Sequence, residues 1–227
     1  MFWVSQRRSQ ETGTEIAVFT LVILQYSFSM NDIILPYVMP IFRRPNDPRS
    51  FAGTAFCIND YLVTAGHVIS APTTYFVRNG NSCHPLQFNQ WIPQQLPADD
   101  RMGYDIALYP IPGLKSPLAL ADVDAEPNDS LDILCWQMRP GGPQLVATQG
   151  LVIKEPDENG YLRLATVNHI THGCSGCPIF DSDGLVYGMV TMGRSNVDPK
   201  GLSPLSRQME QNTCWAFKTS YIKRFMP

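Results

Sequence analysis

Thr171-His172-Gly173-Cys174-Ser175-Gly176-Cys177-Pro178-Ile179-Phe180 has Gly173-x-Ser175-Gly176-x-Pro178 at its centre. Two glycines around one serine, with a proline close behind, are too glycine-rich for a helix interior. They are also too tight for a regular strand. Glycine lets consecutive backbone N–H groups turn toward one spot. That spot can hold an oxyanion, with the serine hydroxyl beside it.

Two upstream stretches carry the partners such a serine needs. Gly53-Thr54-Ala55-Phe56-Cys57 and Tyr61-Leu62-Val63-Thr64-Ala65-Gly66-His67-Val68 mark two strands, Ala52–Ile58 and Leu62–Thr64, joined by an Asn59-Asp60 turn. His67 sits where the chain leaves the second strand; without its context it reads as a hydrogen-bonded end-of-strand residue. Tyr104-Asp105-Ile106-Ala107-Leu108 puts an acid directly before an apolar strand. A carboxylate there costs desolvation energy unless it accepts hydrogen bonds, and His67 is a suitable donor. Asp99 and Asp100 are the alternative acids and read as a solvated loop before Arg101.

Together the three stretches resemble the nucleophile, histidine and aspartate motifs of the chymotrypsin-like (trypsin-fold) serine proteases. The order His67, Asp105, Ser175 is the order of that family. The resemblance covers roughly residues 36–225. It implies an all-β fold of two six-stranded antiparallel Greek-key β-barrels with a short C-terminal helix. Residues 33–120 would form the first barrel, with His67 and Asp105; 121–130 a connector; 131–227 the second barrel, with Ser175. Residues 1–32 are left as an N-terminal extension without an assigned role. The implied reaction is serine endopeptidase chemistry on a polypeptide, without cofactor or metal. His67 acts as base, Asp105 orients it, and the N–H groups of Gly173 and Ser175 form the oxyanion hole.

The chain departs from the family in three places. Cys57 matches a cysteine that usually bonds the residue after the histidine, which is Val68 here, so Cys57 is expected to carry no such bridge. In trypsin-like zymogens an aspartate precedes the serine and pairs with a newly cut N-terminus. Here Cys174 stands there, so the oxyanion hole is expected to form without cleavage. By register the substrate pocket is lined near His169, His172, Val190, Thr191, Met192 and Gly193. His169 takes the place of an acid that would select arginine or lysine. His169 or His172 would favour an acidic or amide side chain, or serve as a hydrogen-bonded loop residue.

Bulk composition narrows the remaining classes. The 227 residues allow one large all-β domain or two small barrels. Seventeen basic against twenty acidic residues leave a net charge of −3, so neither nucleic acid nor an anionic membrane is expected as a partner. The 19 prolines and 16 glycines suit a turn-rich, stranded fold. Ile16–Leu24 follows Arg7 and Arg8. It is too short to span a bilayer, and its β-branched residues fit a strand better than a signal peptide or anchor. The six cysteines fit free thiols or a disulfide framework, and an intracellular location is expected ahead of a secreted one. Cys174 and Cys177 form C-x-x-C, but Gly and Ser between them do not suggest a redox helix. Zinc would need further ligands such as His172, Cys135 or Cys214.

Elsewhere the pattern predicts strands over Ile33–Ile41, Tyr75–Arg78, Leu131–Met138, Gln144–Ile153, Tyr161–Val167, Leu185–Met192 and Cys214–Lys218. A helix is predicted over Thr219–Phe225, capped by Thr219 or Ser220. Two other functional classes compete with an endopeptidase. One is a catalytically silent trypsin fold used for binding or scaffolding. The other is a hydrolase of non-peptide substrates, or a protein that cuts itself and then shuts down.

Overall fold

A computed structural model describes residues 33–45, 47–92, 105–154, 161–193 and 212–226. Short runs of alternating or continuous apolar residues between turns give thirteen strands among the described residues. The first six are β1 (Val38–Phe42), β2 (Phe51–Ile58), β3 (Tyr61–Thr64), β4 (Tyr75–Asn79), β5 (Ser82–Leu86) and β6 (Ala107–Pro110). They form one sheet in the order β5-β4-β1-β2-β3-β6, with every adjacent pair antiparallel. Asn59 takes a positive φ at the tight β2–β3 turn, a conformation asparagine tolerates better than most residues.

The second sheet contains β8 (Ser130–Arg139), β9 (Gly142–Lys154), β10 (Tyr161–Thr166), β11 (Pro178–Phe180), β12 (Leu185–Gly193) and β13 (Thr213–Lys218). Its order is β11-β8-β9-β10-β13-β12, and β11 also pairs with β12, so six antiparallel strands close into a ring. The two-residue β7 (Ala119–Leu120) adds to β12 in parallel. The chain is thus all-β, with two six-stranded antiparallel sheets and a short C-terminal helix, α1 (Thr219–Lys223). The second sheet is a closed barrel. The first is a half-barrel, its β6 edge met by an isolated bridge between Leu108 and Ile92.

Several local expectations need correction. The strand predicted over Ile33–Ile41 begins only at Val38, because Leu35-Pro36-Tyr37 makes a 3-10 turn that proline favours. His84, whose place between Cys83 and Pro85 reads in the sequence as a surface loop, is exposed but lies within β5, paired with Val77. Neither Thr219 nor Ser220 caps α1; Lys218 holds the cap position without a side-chain bond. Ser220 instead binds Asp124 through its backbone N–H (3.0 Å) and hydroxyl (2.8 Å), which ties the helix to the 121–130 segment. Most of that segment is exposed, and Ala121 and Ala125 are its buried positions. Residues 1–32 with Ile16–Leu24, and also Asp99 and Asp100, lie outside the described residues.

The two sheets meet along β2 and β8. Seven of the eight residues of β2 are buried, far from strict alternation, because one face lines the first sheet and the other meets β8 and the serine loop. Trp136 of β8 donates from its indole nitrogen to Val38 O (3.0 Å) across this seam. Among the described residues, no helix is long and apolar enough to cross a membrane.

Candidate active site

Each of the three motifs ends at the seam. β3 and β6 are neighbours, pairing Thr64 with Ala107. The chain leaving β3 makes a single 3-10 turn, Gly66–Ile69, which carries His67. Asp105 lies two residues before β6, so strand pairing brings it beside that turn. Its Oδ1 accepts the His67 backbone N–H at 2.7 Å, and its oxygens lie 2.9 and 2.8 Å from His67 Nδ1. Thr191 Oγ1 also donates to Asp105 Oδ2. An ionised carboxylate can only accept, so Nδ1 carries the proton and a neutral imidazole presents Nε2 as its acceptor. The His67 side chain is 49% exposed against 24% for Asp105, which leaves that imidazole edge reachable from outside.

Ser175 reaches the same seam from the second sheet, on the loop between β10 and β11. The loop is fixed on two sides. Toward the first sheet, Thr54 N–H donates to Ser175 O (2.9 Å) and Thr54 Oγ1 donates to Gly173 O (2.7 Å). Toward β12, Gly176 N–H donates to Val190 O (2.7 Å) and Val190 N–H to Cys177 O (2.9 Å). Ser175 Oγ then faces the carbonyl of Thr191 at 3.3 Å, and that is its hydrogen bond among the described residues; it makes none to His67. The backbone N–H groups of Gly173 and Ser175 have no acceptor among the described residues, whereas those of Cys174, Gly176 and Cys177 do.

The glycines of the loop are required by its packing. Gly173 has φ +105°, and a Cβ there would overlap the Phe51 ring and come within 2.8 Å of Trp136 O. Gly176 has φ +87°, and its Cβ would strike Thr54 O and Thr64 Oγ1. Gly53 also lets β2 close on the His67 turn and the serine loop, since a Cβ would lie 2.7 Å from Val68 Cγ2 and 3.1 Å from Ser175 O.

The expected pocket residues fall in two groups. His169 and His172 are exposed, with their backbones pinned to β8: Gln137 Nε2 donates to His169 O (3.3 Å) and Met138 N–H to His172 O (3.2 Å). The His172 ring stands edge-on to Phe51 at 6.4 Å. Val190, Thr191, Met192 and Gly193 belong to β12; Val190 is buried in the second core, and the backbones of Met192 and Gly193 pair with Trp215 and Cys214.

Sequence reading missed the work of two threonines. In the sequence Thr54 is only one member of a motif, yet its buried hydroxyl donates to Gly173 O and accepts from Trp136 N–H (3.0 Å). Thr191 falls at an expected pocket position, yet its side chain donates to Asp105 and its carbonyl accepts from Ser175. A polar residue inside an apolar strand was the available signal for both. No disulfide joins any of the six cysteines in this structure. Cys57 is wholly buried, and burial pushes its thiol up to about 12. Among the described residues no group of His, Cys, Asp and Glu is arranged to hold a metal ion.

The profile of the trypsin-like peptidase domain matches residues 53–189, which span all three motifs. No curated protein matches the chain. Rv3671c from M. tuberculosis, in an inactive form, is 19% identical over 88% of this chain and 90% of its own, with a TM-score of 0.61. The human pathogenic astrovirus serine protease is 17% identical over 81% and 89%, with a TM-score of 0.53. The serine endoprotease of Yersinia pestis is 16% identical over 86% and 62%, with a TM-score of 0.60. At these identities the likeness concerns the fold.

Proposed function

We propose, for a chain that belongs to the trypsin-like peptidase family, that it is a serine endopeptidase acting through His67, Asp105 and Ser175. The observation that carries this reading is the grip of Asp105 on both the backbone and Nδ1 of His67. That grip sets the tautomer in which Nε2 can take a proton. Ser175 Oγ leaves its 3.3 Å bond to Thr191 O by rotating about χ1. It attacks a peptide carbonyl while Nε2 takes its proton, and the imidazolium that forms is stabilised by Asp105. The unpaired N–H groups of Gly173 and Ser175 receive the oxyanion. His67 then protonates the leaving amine, and water releases the acyl group from Ser175. In this reading the sheets are the family's two Greek-key barrels, 33–120 and 131–227, joined by 121–130. His169, His172 and the 190–193 strand border the substrate.

The orientation of Ser175 toward Thr191 favours a second reading, a silent trypsin fold that binds polypeptides without cutting them. A peptide library separates the two. The endopeptidase cleaves internal peptide bonds, and Ser175→Ala lowers the rate by at least about 10³-fold while keeping the far-ultraviolet spectrum. A library retained by the wild-type protein but left uncut supports the silent fold.

A further inference from the structure

We propose that Cys135 and Cys174 form a disulfide that staples the serine loop to β8, and that the bond closes while the chain folds. Cys174 directly precedes Ser175, and its side chain is wholly buried in the core of the closed barrel. Its Sγ lies 2.8 Å from the Sγ of Cys135, against about 2.05 Å in a formed disulfide. Cys135 is itself wholly buried, near the middle of β8 and opposite Val146 of β9. Gln137 Nε2 faces its sulfur at 3.6 Å. Closing the bond therefore needs a shift of under about 1 Å between β8 and the serine loop within one core.

Cys177 and Cys214 share this core, which raises the question of a metal. Two thiolates on one tetrahedral zinc ion stand about 3.8 Å apart, given a Zn–S distance of about 2.3 Å. The Cys135–Cys174 contact is an ångström shorter than that. It suits a sulfur–sulfur bond and not two ligands of one ion.

Two S–H bonds break and one S–S bond forms, and two protons and two electrons leave. A small disulfide such as oxidised glutathione accepts them by exchange through a mixed disulfide. That exchange begins with an accessible thiolate. In the finished fold neither sulfur is accessible, and contact with Cys135 and burial hold the Cys174 thiol far above its ordinary range. The oxidant must therefore meet these cysteines before the barrel closes. Once formed, the bond joins residues 39 positions apart, a loop long enough to raise the melting temperature by roughly 8–15 °C. This inference does not rest on proteolytic activity.

The test refolds the full chain in an oxidised/reduced glutathione buffer and, separately, in excess reductant. Free thiols are alkylated at low pH and the disulfides mapped by mass spectrometry without reduction. The expected result is a linked Cys135–Cys174 peptide pair in the first sample only, with the higher melting temperature. Protein refolded reduced and exposed to oxidised glutathione afterwards should keep both thiols. In Cys135→Ala the difference in melting temperature between buffers should vanish. Alkylation of both thiols after oxidative refolding, a different pairing such as Cys135–Cys177, retained zinc on the four thiols, or a temperature difference that survives Cys135→Ala would each overturn the proposal. Should Cys135→Ala fail to fold, the mapping of the wild-type protein still decides.

Discussion

Replacing Thr54 with valine removes one hydroxyl and keeps the shape of the side chain. In the structure that hydroxyl donates to Gly173 O at 2.7 Å and accepts from Trp136 N–H at 3.0 Å, in a wholly buried position. Valine leaves a buried carbonyl and a buried N–H without partners, at about 1–3 kcal/mol each. Part of that is offset because the hydroxyl no longer has to be desolvated, so the expected net loss is about 2–4 kcal/mol. For a chain of this size the melting temperature falls by roughly 5–15 °C. The effect should also reach Ser175, because Gly173 is held to the first sheet through this bond. A fluorophosphonate should react at least about 10-fold more slowly at a temperature where both proteins are folded. Thr54→Ser keeps the hydroxyl and gives up one methyl, about 1 kcal/mol, so its labelling rate should stay within about 3-fold of wild type. Thermal melts with labelling rates on the three proteins decide the matter. A valine variant melting within about 2 °C of wild type and labelling at its rate refutes the claim that Thr54 holds the serine loop.

Asp105→Asn is expected to lower kcat by about 10⁴-fold with little change in KM, since an amide facing Nδ1 drives the His67 proton to Nε2; steady-state ester hydrolysis measures it, and a loss under 10-fold would contradict the assigned roles. Gly176→Ala must place a Cβ against Thr54 O and Thr64 Oγ1 at φ +87°, so a loss of at least about 3 kcal/mol is expected in chemical denaturation. The Cys57 and Cys177 thiols are raised by burial to about 12 and about 11 from 9.0. The unfolded chain releases those protons from about pH 9 while the folded chain keeps them, so stability falls as pH rises through that window, by up to about 1.4 kcal/mol per pH unit per thiol. Denaturant midpoints at about pH 8 and 10.5 show the fall in the wild-type protein and a shallower one in Cys57→Ala.

What was legible in the sequence was local. His67, Asp105 and Ser175 each stand at the end of a recognisable strand or in a glycine turn, so short windows were enough to find them. The turn at Asn59 followed from residues that prefer that conformation, whereas the C-terminal helix forms without the cap its sequence suggests. What was not legible was made by contacts between distant parts. Thr54 and Gly173 are 119 residues apart, and nothing in either window announces the bond. β5 hides behind His84-Pro85, which reads as a loop; at a sheet edge proline is tolerated, because β5 needs pairing on one side only. β7 is two residues long and borrows its place from β12. Cys174 and Cys177 were legible as a spaced pair, but barrel closure decides that Cys135 meets Cys174. The 121–130 connector is mostly exposed, as its acids suggest, but nothing in that window announces that Asp124 binds Ser220 of the terminal helix.

If Ser175 is a nucleophile activated by His67, a fluorophosphonate probe reacts with it directly. The full-length protein, uncut and without additives, is exposed to the probe near neutral pH, and the modified residue is located by peptide mass spectrometry. One adduct is expected, on Ser175, that disappears in Ser175→Ala and forms at least about 10³-fold more slowly in His67→Ala. A protein that folds and stays unlabelled, or that labels elsewhere than Ser175, contradicts that role of Ser175.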